Sequence, residues 1–186
     1  MKAALDLVPP GREPRLWLFG LCVLLPATII GGALAWPSTT GGPLRLTTLA
    51  TLAGAALLTL GLWWLLDRAM RRHHLELGDG GIRVRTSFYS KTVVLAELQL
   101  DAARVVDLQE RTEFKPALKT NGYALPGFRS GHFRLRNGSS AFVAITGNGR
   151  ALWLPTTGRQ ALLLQPRQPE TLLAHLRELA KATPRR

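Results

Sequence analysis

LWLFGLCVLLPATIIGGALAW at residues 16–36 and LTTLATLAGAALLTLGLWWLL at residues 46–66 decide how this chain is organised. Neither run contains Asp, Glu, Lys, Arg or His, and a short Pro-, Gly- and Ser/Thr-rich stretch ending at Arg45 separates them. As helix, a run of this length rises about 30 Å, the thickness of a bilayer's hydrocarbon core. Burying two such rods would take more soluble protein than the remaining chain supplies. The reading is an α+β chain: a transmembrane hairpin (helices at 16–36 and 46–66, a short extracytoplasmic loop at 37–45) carrying one small domain at 73–182.

Orientation follows from the flanking cations, because Lys and Arg close to a membrane stay on the cytoplasmic side. Lys2, Arg12 and Arg15 precede the first run, and Arg68, Arg71 and Arg72 follow the second. The tail at 1–15 and the C-terminal domain are therefore expected in the cytoplasm, and the chain in the inner (cytoplasmic) membrane as a multi-pass protein with both termini cytoplasmic. The basic start and Ala33-Leu34-Ala35 also suit a signal peptide, but the apolar core exceeds the usual 7 to 15 residues or so. Trp17, Trp36, Trp63 and Trp64 are expected to form interfacial belts.

Small residues recur every four positions at Ala27, Gly31 and Ala35 and again at Ala50 and Gly54, which is expected to let the two helix backbones pack closely. Pro26 is expected to kink the first helix. With no ionisable group inside either run, nothing suggests an ion path. Cys22 is the single cysteine, so no intrachain disulfide and no cysteine-based zinc site can form; a small buried apolar role is expected.

Charge is uneven. The chain carries 24 Lys and Arg against 12 Asp and Glu, and residues 114–169 contain eight basic residues and no acidic one. After residue 72 the pattern changes to short alternations broken by turns, the signature of half-buried antiparallel strands. Residues 74–77 and 82–86 read as a hairpin with Ile82 and Val84 inward and Arg83 and Arg85 outward. Further strands are expected near 91–96, 104–108, 132–136, 141–146, 151–155 and 160–164, with Asn137-Gly138 and Asn148-Gly149 as hairpin turns. Residues 109–119 read as an extended loop. A final helix begins at Pro169, with Leu172, Leu176 and Leu179 on one face and Leu173 beside them.

This order, and residues 120–133 above all, resembles the bacterial PH-domain family of membrane-associated proteins over residues 75–180. The resemblance implies a pleckstrin-homology-like, seven-stranded antiparallel β-barrel capped by a C-terminal helix, often beside transmembrane helices, with no activity shared across the family. The stretch 121–131 also has a reading of its own. Gly122, Gly127 and Gly131 allow unusual backbone geometry and Pro126 fixes one φ angle, so it reads as a shaped loop. Leu125 and Phe128 are expected to pin it to the barrel, with Arg129 outward.

Catalysis finds little support. The carboxylates are scattered, His73 and His74 would point to opposite faces of a strand, His132 and His175 read as surface residues, and Thr146-Gly-Asn-Gly-Arg150 is not followed by a helix start. No enzyme, cofactor or metal is expected. The expected function is a membrane-anchored interaction or scaffold module. Arg68, Arg71, Arg72, Arg83 and Arg85 are candidates to contact anionic lipid head groups, and Asn121, Gly122, Leu125, Pro126, Gly127, Phe128 and Arg129 form a candidate loop for a protein partner or a second copy. A membrane-tethered nucleic-acid-binding protein is the alternative; it is disfavoured because the basic residues are not interleaved with a stacking platform of aromatics.

Overall fold

The structure, a computed structural model, describes residues 7–35, 46–70, 74–78, 80–86 and 89–182. The first apolar helix starts at Arg12, before the uncharged run, and continues to Ala35; the second spans Leu46–Met70. A π-helical turn at Gly20–Leu24 interrupts the first, where the Leu25 N–H reaches back to the Gly20 carbonyl. It ends two residues before Pro26, whose missing N–H and bulky ring disrupt a regular turn.

Among the described residues nine strands follow: β1 (His74–Gly78), β2 (Gly81–Arg85), β3 (Ser90–Val94), β4 (Arg104–Asp107), β5 (Pro116–Leu125), β6 (Phe128–Leu135), β7 (Ser140–Thr146), β8 (Arg150–Leu154) and β9 (Ala161–Leu164). They form two sheets. One is an antiparallel β1–β2–β3 meander, and the other has the order β4-β8-β9-β7-β6-β5. The expected seven-stranded, all-antiparallel closed barrel is therefore corrected to a three-stranded and a six-stranded sheet that do not close, with β7 and β9 parallel.

Two local readings account for the difference. Residues 116–125, which read partly as loop, form the longest strand among the described residues; five successive positions from Ala117 to Asn121 are exposed, so the alternation that marks a strand is missing. Its pairing with β6 slips between Pro116 and Leu118 and between Lys119 and Asn121, as bulged edge strands do. The turn at Asn148-Gly149 joins β7 to β8, yet the two are not neighbours, because β9 lies between them. Ala161-Leu162-Leu163-Leu164 is buried at every position. Such a strand needs cover on both faces and so belongs at the centre of a sheet.

The six-stranded sheet has a core on each face. On one face Phe142, Ala144, Leu152, Leu154, Leu162 and Leu164 meet Leu75, Ile82, Val84 and Val93 of the small sheet and Leu172, Leu173 and Leu176 of the C-terminal helix (Pro169–Ala182). That helix is further held by Arg177, whose Nη2 donates to the Leu100 and Ala103 carbonyls at 3.2 and 3.4 Å. On the other face Val143, Ile145, Trp153 and Leu163 are covered by Leu108 and Phe114 from the β4–β5 connection, where Phe114 and Trp153 lie 5.1 Å apart. Ile82 and Val84 point inward and Arg83 and Arg85 outward, as the alternation requires.

Candidate functional site

The β5–β6 hairpin projects from the six-stranded sheet and ends in Leu125-Pro126-Gly127-Phe128, with Leu125 paired to Phe128. Gly127 has φ +72°, the left-handed conformation that the residue after proline takes in a tight two-residue turn. Phe128 is buried with Leu18 and Met70 of the two apolar helices, and Tyr123, Leu125, Cys22, Trp63 and Leu66 pack around them. A Cβ on Gly127 would stand 3.2 Å from Glu13 Oε2, in the first turn of the first helix. The residues read as a partner loop thus converge on the chain's own helices. Leu125 and Phe128 pin the hairpin to the helix pair rather than to the barrel, which corrects that expectation; no sequence pattern links residue 128 to residues 18 and 70.

The base of the hairpin is shaped by close backbone approach. Gly131 has φ +117°, and a Cβ there would fall 2.5 Å from Gly122 Cα and 2.7 Å from the Asn121 carbonyl oxygen. Tyr89 fills the adjoining space. Its hydroxyl donates to Asn121 Oδ1 at 2.9 Å and its ring meets His132 edge-on, while His132 packs against Phe142 and sits 3.1 Å from Gln160 Oε1. His132 is accordingly half-buried between the two sheets, not a plain surface residue. Arg129 is half-buried, and Asn121 and Pro126 are exposed.

The two helices join at the same place. Arg15 Nε donates to Asp67 Oδ1 at 2.5 Å, and Phe19 meets Trp63 edge-to-face at 5.4 Å. Asp67 is buried although it is charged and lies one residue beyond the apolar run, where nothing in the sequence marks it as a core position. Packing therefore concentrates at the domain end of the hairpin. A Cβ on Gly31 or Gly54 would meet nothing within 4 Å, so the small-residue stripes do not bring the helices together as expected. Burial raises the pKa of the Tyr123 phenol above its ordinary value, with a further upward push from Cys22.

Beyond this junction the helices are bare. Leu57 and Leu58 are 72% and 76% exposed, and by length and composition both helices could cross a membrane. Trp17 and Trp64 are exposed, whereas Trp63 is half-buried against Phe19 and Trp36 lies outside the described residues. Arg68 stacks over Trp64, 5.7 Å from the ring centre. Arg71 and Arg72 lie outside the described residues. Arg83 and Arg85 are exposed on β2; Arg83 Nε donates to Thr92 Oγ1 at 3.3 Å, and Arg85 lies 3.9 Å from Glu76. Among the described residues no group of three or more His, Cys, Asp or Glu could hold a metal ion.

The segment before the first helix is also part of the assembly. Leu7, 4% exposed, enters the core between the sheets, and the Val8 N–H donates to the Gln165 carbonyl at 2.9 Å. An antiparallel meander over a mixed sheet, with a C-terminal helix on their shared core, is a PH-like architecture. Compared with known families, the sequence matches the bacterial PH domain over residues 74–180, more than half of its length, and the chain belongs to that family. Neither the curated proteins nor the solved structures contain a significant match.

Proposed function

We propose that this chain is a membrane-anchored, non-enzymatic PH-like interaction module, held at the cytoplasmic face of the inner membrane by its helical hairpin and presenting a basic surface to anionic lipid or to a protein partner. One observation carries the reading. Both ends of the hairpin return to the same domain: Leu7 is buried in its core, and β1 starts at His74, four residues after the second helix ends. Two exposed apolar helices that begin and finish at one domain suit an even number of crossings, with both termini on one side. The excess of Lys and Arg at those ends favours the cytoplasm as that side.

The lipid part of the proposal rests on reach. Three residues separate Met70 from His74, so fully extended chain puts His74 at most about 14 Å from the helix exit, and Arg85, opposite His74 in the β1–β2 register, lies about 5 Å further at most. An arginine side chain spans part of that distance, and a surface charge acts over about 8–10 Å more near physiological salt. Arg68, stacked on Trp64, sits closer still. Each such cation near an anionic leaflet contributes about 1 kcal/mol.

The test has two arms. In membranes, the chain is expected to resist alkaline carbonate and to yield only to detergent; release by carbonate would overturn the anchor. In lipid nanodiscs, amide exchange along β2 is expected to be slower with anionic than with neutral lipid, and Arg83→Gln with Arg85→Gln should erase the difference. Equal exchange in both lipids would remove head-group contact and leave the protein-partner reading.

A further inference from the structure

Residues 7–9 bind the domain in a way that a core element does not need. Only one of their side chains, Leu7, is buried in the core. Their polar contacts are the Val8 N–H to the Gln165 carbonyl at 2.9 Å and the Thr146 hydroxyl to the Val8 carbonyl at 3.0 Å, with Leu7 bridged antiparallel to Pro166. On its C-terminal side the pairing stops at Val8, because Pro9 and Pro10 offer no N–H to a ladder. The receiving groups are set by the domain itself. The Gln165 N–H donates to the Ala144 carbonyl at 2.9 Å, and Gln165 Oε1 accepts from the Thr146 N–H at 2.7 Å. The family match that defines the domain starts only at residue 74.

We propose that residues 7–9 are a self-ligand: the domain carries a strand-addition site for an extended peptide, made by Thr146, Gln165 and Pro166 beside an apolar slot, and the chain's own segment occupies it. The ligand class is an extended segment with a leucine-sized apolar residue, followed by a residue whose N–H and C=O are both free. Side-chain specificity resides in the slot filled by Leu7, and affinity in the two hydrogen bonds to Val8. The occupant is tied to the membrane helix. Pro10 and Gly11 lead directly into Arg12, and Glu13 and Pro14 lie against the β5–β6 turn, so displacement of the first helix draws on the strap.

The experiment uses the full chain in detergent, with a specific-protease sequence inserted between Pro10 and Gly11, and a fluorescent peptide of residues 1–10 as probe. After cleavage and removal of the freed segment, the clipped protein should keep its cooperative thermal transition and bind the probe saturably. The uncut chain should bind it at least tenfold more weakly, because the site is taken. A probe carrying Leu7→Asp, or an N-methyl group on Val8, should lose at least tenfold in affinity. Loss of the cooperative transition on removal of the segment would overturn the proposal by making the strap an integral part of the core. A clipped protein that stays folded and binds the probe no better than the uncut chain would overturn it as well, as would equal binding of the altered probes.

Discussion

Arg15 and Asp67, 52 residues apart in sequence, join the two apolar helices where they meet the domain, guanidinium Nε to carboxylate Oδ1 at 2.5 Å. The Asp67 side chain is 9% exposed and that of Arg15 is 37% exposed. A carboxylate so buried would be costly without a cation beside it.

Arg15→Gln is therefore expected to destabilise the protein by about 1–2 kcal/mol, a figure reduced from that of a fully buried pair because Arg15 is partly solvated. The double variant with Asp67→Asn should cost less than the sum of the two single changes. Thermal unfolding in detergent across the four proteins measures the coupling, and strict additivity would mean that the pair contributes nothing.

Phe128→Ala removes the side chain at the centre of the hairpin–helix contact, which is 2% exposed. A loss of about 3 kcal/mol is expected. Because the cavity opens between domain and helices, limited proteolysis should then cut the chain near residues 71–73 faster than in the parent protein. An unchanged cleavage rate would show that the hairpin does not tie the domain down.

The raised pKa of Tyr123 gives a pH dependence with a definite sign. The folded state holds the phenolic proton more tightly than the unfolded chain, so the resulting stability is fully present below the ordinary tyrosine pKa of about 10 and is lost as pH climbs through the raised value. Stability should fall more steeply above pH about 10 in the parent than in Tyr123→Phe. Identical alkaline profiles would contradict this.

Glycines at positive φ separate into two kinds. Gly138→Ala meets open space and should cost about 1–2 kcal/mol from backbone conformation alone. Gly131→Ala adds a collision with the Gly122 and Asn121 backbone and should cost clearly more, with β5 and β6 forced apart. Equal melting points for the two variants would refute the close approach.

Much of this could be read in advance. Charge-free runs specify helices whatever surrounds them, and the Ile82/Val84 against Arg83/Arg85 alternation specifies a two-faced strand, because each depends on neighbours only a few positions away. What escaped depends on contacts between distant segments. The exposed start of β5 hides its strand character, the central place of β9 follows from cover on both faces, and Asp67 becomes a core residue only because Arg15 reaches it. The stretch 121–131 was legible as a shaped turn, since Pro126-Gly127 dictates local geometry. Where that turn rests was not, because Leu18 and Met70 carry no mark that distinguishes them from the exposed apolar residues beside them.

The strap sets an order on biosynthesis. The Val8 carbonyl waits for a hydroxyl that lies 138 residues further along the chain. At roughly 5–20 residues per second on the ribosome, that delay is about 7–30 s. Throughout that interval the leading end of the first helix is untethered, and both apolar helices are complete before the clasp at their foot can fasten.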